Sequence, residues 1–348
     1  MSHRNIPIFI PHLGCPNQCV FCNQRSISGC CEFDESEVER QIEASLATLP
    51  EESETEIAFF GGSFTGIDRG LMLRLLELAQ RYVDAGRVRS IRLSTRPDYI
   101  NAEILSILSR YAVRTIELGL QSMDDAVLNA CKRGHTAEQA EEACRLVVDA
   151  GFSLVGQMMI GLPGSSIESE ISTAEQICSL GATAARIYPT VVFYQTPLCD
   201  MASDGRYTPL TVEEAVARSA KALRVFCKHD VPCIRIGLCA SESLTSEEKV
   251  LAGPNHPALG ELVWNEYYYE QLQDAVKAAN LRNQAICLEI PSREMSKVVG
   301  QHRCNLIRLE REIGTRVYQT VEKADVGSIR VMPYQRKKKT AGGILPCI

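Results

Sequence analysis

No apolar run in this chain reaches the roughly 18 residues that a bilayer-spanning helix needs, so no membrane span is expected. The first residues, MSHRNIPIFIPH, lack the charged-then-apolar layout of a secretory signal and read instead as a first strand. A cytoplasmic location is the expectation. Cysteine is abundant, with 15 in 348 residues, but the count is odd and no signal precedes it, which argues against a disulfide scaffold. Cysteines such as Cys144, Cys178 and Cys227 fall at apolar positions of predicted helices, where a free thiol packs as a small hydrophobe. So many free thiols suit a reducing, anaerobic cell. The hydrophobic fraction of 45% is ordinary for a globular chain, and the length suits one large domain with a small one.

What is present is concentrated near the N-terminus. Cys15, Cys19 and Cys22 stand in GCPNQCVFCNQ, a C-x3-C-x2-C spacing with Phe21 before the last cysteine. Three closely spaced thiolates can hold three irons of a [4Fe–4S] cluster and leave the fourth iron open. An open iron can bind S-adenosylmethionine and deliver an electron to its sulfonium. The alternative is a zinc site, with Cys30 or Cys31 as a further ligand. No second spaced triplet exists, so one cluster is expected.

Strand-like apolar runs begin near residues 6, 56, 90, 115, 153 and 185, with helical spacing between them, as in Val38, Ile42 and Leu46 or Leu71, Leu75 and Leu78. Six strands alternating with helices imply parallel βα units, too few to close an eight-stranded barrel. The expected fold is α/β, an open (β/α)6 partial TIM barrel, with VPCIRIGL at 231–238 as a strand returning to it. Chemistry in such folds lies at the carboxyl ends of the strands.

The short motifs fall at those ends: GGSFTG at 61–66, LSTRPD at 93–98, ELGLQS at 117–122, RGH at 133–135 and GLPG at 161–164. With the cysteines, in this order, they resemble the core of the radical SAM superfamily across about two thirds of the chain. The similarity is greatest to the radical SAM domain of the Elongator catalytic subunit and to the oxygen-independent coproporphyrinogen oxidases. The resemblance implies one [4Fe–4S] cluster on Cys15, Cys19 and Cys22, bound S-adenosylmethionine, and a reductant such as flavodoxin or ferredoxin. It implies reductive cleavage to a 5′-deoxyadenosyl radical. Gly61, Gly62 and Ser63 match the glycine motif, with Ser63 where an acidic residue is common. Arg133 matches the arginine that pairs with the methionyl carboxylate, a task that suits a guanidinium fork. Glu117 and Gln121 would face the barrel interior, and Gly161 opens the turn beside the adenine. Arg96, Asp98, His135, His256, Tyr188 and Tyr194 are weaker candidates.

Charge is unevenly placed. Residues 281–348 hold 13 Lys/Arg and 6 Asp/Glu, whereas residues 1–280 hold 24 and 37. A basic end on an acidic body points to a polyanionic partner. Within that end, VVGQHRCNLIRLEREIGTRV resembles the helix–loop–helix of a KH nucleic-acid module, with Arg303 in place of the second loop glycine. Gly300, His302, Arg303 and Arg308 are the candidate RNA contacts. The expected division is a radical SAM core over 1–240, a connecting loop and helix over 241–280, a small α+β KH-like module over 281–335 and a basic tail over 336–348. The expected function is modification of RNA, with tRNA as partner. Rival readings are oxidation of a porphyrinogen-type small molecule and a non-catalytic cluster- or RNA-binding protein. The chain leaves no room for the Elongator family's acetyltransferase domain, so transfer from acetyl-CoA is not expected of it alone.

Overall fold

Seven parallel strands lie side by side in sequence order: β1 (His3–Ile10), β2 (Glu54–Gly61), β3 (Ser90–Thr95), β4 (Val113–Gln121), β5 (Ser153–Ile160), β6 (Ala184–Pro189) and, after a short excursion, β8 (Cys233–Ile236). This is the open partial barrel that the alternating pattern predicts, with 231–238 supplying a seventh strand. The computed structural model describes residues 3–10, 13–15, 19–23, 33–50, 54–238, 249–281, 284–323 and 329–334. Cys30, Cys31 and the tail 336–348 lie outside them. No helix among the described residues is long and apolar enough to cross a membrane.

Helices α1 (Val38–Leu46), α2 (Arg69–Asp84), α3 (Ala102–Leu108), α4 (Asp125–Ala130), α5 (Ala137–Asp149) and α6 (Ile167–Ser179) fill the crossovers up to β6. Their starts follow from local chemistry. Asp68 caps α2 by accepting from the Leu71 N–H, and Asn101 caps α3 through Ile104. Thr136 with Gln139, and Ser166 with Ser169, make reciprocal caps on α5 and α6. Each such cap stabilises its helix by about 1 kcal/mol and fixes where the loop after the preceding strand must end. The buried face of α2 is Met72, Leu75, Leu76 and Ala79, turned by one residue from the Leu71–Leu75–Leu78 stripe.

The two faces of the sheet differ in kind. Ile57, Phe59, Ile91, Leu93, Ile116, Leu118 and Leu120 are wholly buried, and each contributes about 1.5–3 kcal/mol of apolar transfer. The other face carries a polar ladder. Arg92 binds Glu56 and Glu117, Arg186 binds Glu117, and the Gln157 amide also donates to Glu117. Every charge in it is matched, as a water-poor interior demands.

The predicted sixth run, 185–193, divides. β6 stops at Pro189, and the Thr190 N–H and hydroxyl both bond to the Ile160 carbonyl, at 2.9 and 2.7 Å. The chain then leaves the sheet as β7 (Val192–Phe193), which pairs antiparallel with β9 (Val250–Ala252). Helices α7 (Pro197–Ser203) and α8 (Val212–Lys228) follow β7.

The chain separates into two compact units, Met1–Gly260 and Glu261–Ile348. A long helix, α9 (Leu259–Ala279), leads into the second. There β10 (Ile286–Pro291) is the centre of a three-stranded sheet, parallel to β11 (Val317–Lys323) and antiparallel to β12 (Arg330–Pro333). Between β10 and β11 stand the short α10 (Met295–Val299) and α11 (Cys304–Ile313). Leu306, Leu309 and Val317 enter a core with Ile286, Leu288, Ile290 and Tyr269.

Candidate active site

The loop after β1 is brought against the loop after β2 by glycines. A Cβ on Gly62 would lie 2.0 Å from the Leu13 carbonyl oxygen, and one on Gly14 would lie 2.2 Å from that of Ser63. No side chain fits at either place, so Cys15 is held directly beside the Gly61–Gly62 strand end. The segment carrying Cys19 and Cys22 is anchored separately. Val20 is buried with Val127, Leu162, Leu198 and Tyr207. Its N–H bonds to the Cys131 carbonyl at 3.1 Å, and its carbonyl accepts from Leu198 at 2.9 Å.

Cys15, Cys19 and Cys22, none of them in a disulfide, line one cavity of about 570 Å³, together with Gly61, Gly62, Gln121 and Arg133. That volume suits a small-molecule ligand. Two buried guanidiniums face the sulfurs. Arg133 Nη1 is 3.2 Å from Cys19 Sγ, and Arg96 Nη1 is 3.9 Å from it. Arg96 is fixed by a fork on Asp98, both bonds 2.9 Å, and donates to the Arg133 carbonyl. Arg133 also donates to the Gly119 carbonyl. Burial pushes the Cys15 thiol up, and the Arg96 guanidinium pulls it back. Cys131 and Cys144, by contrast, are pushed up to about 12 by burial and remain packing thiols.

Among the described residues, two buried polar atoms at this cavity have no partner: Gln121 Oε1 and Arg133 Nε. Gln121 also sits at φ 70°, past a bulge at the end of β4, a backbone position that costs about 1–3 kcal/mol for a non-glycine residue. An unpaired acceptor and donor on strained or buried residues fit a ligand that satisfies both. Soft thiolates beside two cations fit an anionic iron–sulfur cluster.

Other predicted residues sit elsewhere. Ser63 is fully buried, its hydroxyl 2.7 Å from that of Thr95, and ties strand ends together. Glu117 is the hub of the interior ladder, separated from Gln121 by the bulge. Gly161 holds the GLPG turn: its N–H donates to Glu170 and its carbonyl accepts from Tyr207 Oη at 2.6 Å. His135 is buried with its Nδ1 3.9 Å from Asp98 Oδ1, and burial lowers its pKa to about 4. His256 and Tyr194 are exposed, and Tyr188 accepts from Arg186 at 3.3 Å. Gln157 and Ser94 also line the cavity and were not singled out by sequence. Their only signal there is a polar side chain inside an apolar strand.

In the second unit, Gly300 has φ 75° and a Cβ on it would lie 2.5 Å from Cys304 Sγ. His302 and Arg303 are exposed at left-handed φ of 51° and 61°. Arg308 is held by Glu266 and lies 3.8 Å over the Tyr269 ring.

Comparison with known proteins agrees with this geometry. The family model described as the radical SAM superfamily matches residues 9–177, and that of the radical SAM C-terminal domain matches 182–269. A tRNA uridine(34) acetyltransferase of Methanocaldococcus infernus is 33% identical over 146 residues, 40% of this chain and 27% of that protein. Elongator complex protein 3 of Homo sapiens is 34% identical over 134 residues, 37% of this chain and 24% of that protein. The chain thus matches only about a quarter of the length of these relatives. The archaeal Methanocaldococcus infernus Elp3 with an N-terminal deletion shares the fold, with a TM-score of 0.61 at 22% identity over 77% of this chain and 63% of that one. Cysteine spacing, strand-end motifs, parallel partial barrel and family models converge: the chain belongs to the radical SAM superfamily of enzymes.

Proposed function

We propose that this chain holds one [4Fe–4S] cluster on Cys15, Cys19 and Cys22, binds S-adenosylmethionine beside it and acts on RNA, with tRNA as the substrate. The observation that carries the cofactor reading is the meeting of three cysteine thiols, a glycine strand end and two guanidiniums in one cavity. Bound there, the cluster and S-adenosylmethionine supply one-electron reductive cleavage of the sulfonium and so a radical able to abstract hydrogen. The chain's own residues do the rest. Arg96 and Arg133 offset the negative charge of the thiolates in a poorly hydrated site. Gly61 and Gly62, packed without a Cβ against the loop that carries Cys15, bring the backbone of the β2 strand end to the cavity wall where the methionyl ammonium would bind. Arg133 Nε is a free donor for the methionyl carboxylate, and Gln121 Oε1 a free acceptor. The Val20 plug and the buried outer face keep water away from the cavity wall.

RNA as substrate is supported by relatives named for tRNA uridine(34) and Elongator, and by the basic last 68 residues. Acetyl transfer is not assigned to this chain, because the match covers only about a quarter of those relatives.

The test uses anaerobically reconstituted protein with dithionite and S-adenosylmethionine. Formation of 5′-deoxyadenosine is followed by chromatography, with and without bulk tRNA from cells lacking the gene. A tRNA-dependent rise, abolished in Cys22→Ala, is expected. Cleavage indifferent to tRNA would remove RNA from the proposal, and no cleavage at all would remove its core.

A further inference from the structure

We propose that the end of the C-terminal sheet formed by Tyr318 and Tyr334 is a stacking platform for unpaired bases of an RNA. The inference rests on the RNA reading above and names where that unit engages its partner. The β10–β11 register slips by one residue, so that Ile286 pairs with Val317 and Cys287 with Gln319. Tyr318 is the extra residue of this bulge, without a ladder partner, and its side chain stands 59% exposed. On the other side of β10, the Tyr334 N–H bonds to the Ala285 carbonyl at 2.7 Å and fixes the end of β12. The two rings meet over β10 with centroids 4.9 Å apart and planes at 18°.

A tyrosine this exposed gains little from burial, and the core of the unit is filled from other positions: Ile286, Leu288, Ile290, Val317 and Val331. The pair is nevertheless self-aligned, each ring covering one face of the other, which leaves the outer faces parallel. Aromatic side chains in that state stack unpaired bases at about 1–3 kcal/mol per base, without reading sequence.

Charge selects the occupant. Arg316 just before β11 and Arg330 on β12 are exposed. The sequence continues from Tyr334 through Gln335 to Arg336, Lys337, Lys338 and Lys339. Glu289, the sole acidic residue of β10, is paired with Lys323 at 2.5 Å. The helix–loop–helix offers less: Arg308 is engaged by Glu266 and Tyr269, and Arg303 lies 3.9 Å from Glu310. A protein partner is a poorer fit. Among the described residues of this unit, the exposed large apolar side chains are Ile307, Tyr318 and Met332, far short of a standard interface.

The test measures binding of a short fluorescein-labelled oligouridylate, and of the same label on an RNA duplex, to the full-length holoprotein by anisotropy at low salt. The Tyr318→Ala/Tyr334→Ala double variant is compared with Tyr318→Phe/Tyr334→Phe, which keeps the rings. Circular dichroism and RNA-free cleavage of S-adenosylmethionine check that each variant folds and functions otherwise. The expected result is a loss of about 10- to 100-fold in single-strand affinity for the alanine pair, with little change in duplex affinity. The phenylalanine pair should bind like the wild type. Wild-type RNA binding that survives the alanine pair, or that falls equally in the phenylalanine pair, overturns the platform alone. Failure of the wild type to bind any RNA overturns the RNA reading with it. A wild-type dimer that the alanine pair dissolves, without change in RNA affinity, would assign the rings to a second copy of the chain and also overturn the proposal.

Discussion

Replacing Glu117 with glutamine removes the central charge of the interior ladder while nearly keeping its shape. Glu117 is fully buried and accepts from Arg92 and Arg186 at 2.9 Å each and from Gln157 at 2.8 Å. The consequences differ for the two arginines. Arg92 keeps Glu56, at 2.9 Å. Arg186 loses the carboxylate to which it is paired and retains the Tyr188 hydroxyl at 3.3 Å and the Phe60 ring at 5.3 Å. Breaking a buried pair from one side costs about 3–5 kcal/mol, because a charge is left unmatched. One surviving partner for Arg92 puts Glu117→Gln near the lower end, about 3 kcal/mol. For a unit of this size that is a fall in Tm of about 10 °C. The assay is thermal and urea unfolding of the anaerobic protein followed by circular dichroism. Adding Arg186→Met should recover at least half of the loss, since the unmatched charge goes with it. A loss below about 1 kcal/mol, or no recovery in the double variant, would refute the reading of the ladder as a matched, water-poor network.

Two further predictions follow from single residues. Burial, reinforced by the Arg133 charge, holds the His135 pKa at about 4, below its ordinary 6.5. Its neutral form is therefore favoured in the folded state. The resulting penalty is absent above pH 6.5 and grows as pH falls to about 4, reaching on the order of 3 kcal/mol. His135→Gln should flatten the acid side of the urea-midpoint profile between pH 6.5 and 4; an unchanged slope would show that His135 already meets water. Gly300→Ala should destabilise the second unit by about 1–3 kcal/mol, from its φ of 75° and the 2.5 Å approach to Cys304 Sγ. Faster protease cleavage within 295–314, with RNA-free cleavage of S-adenosylmethionine unchanged, is the readout; equal cleavage rates would refute the strain.

Much of the site was legible in the chain because its elements are local. Cys15, Cys19 and Cys22 fall within a stretch of eight residues, and Gly61–Gly62 ends an apolar run, so spacing and period alone mark them. The parallel strands and helix caps were likewise written in alternating patterns and short polar signals, as at Thr136 and Ser166. Tertiary structure decided what depends on partners distant in sequence. It put Glu117 into a ladder with Arg92 and Arg186 rather than beside Gln121, because a bulge breaks the alternation that local reasoning assumes. It joined Arg96 and Arg133 to Cys19, across 77 and 114 residues. It placed Gln157 and Ser94 at the cavity, engaged Arg308 with Glu266, and brought Tyr318 against Tyr334. A periodic pattern states which face a residue takes; only the packed chain determines which distant charge or ring meets it there.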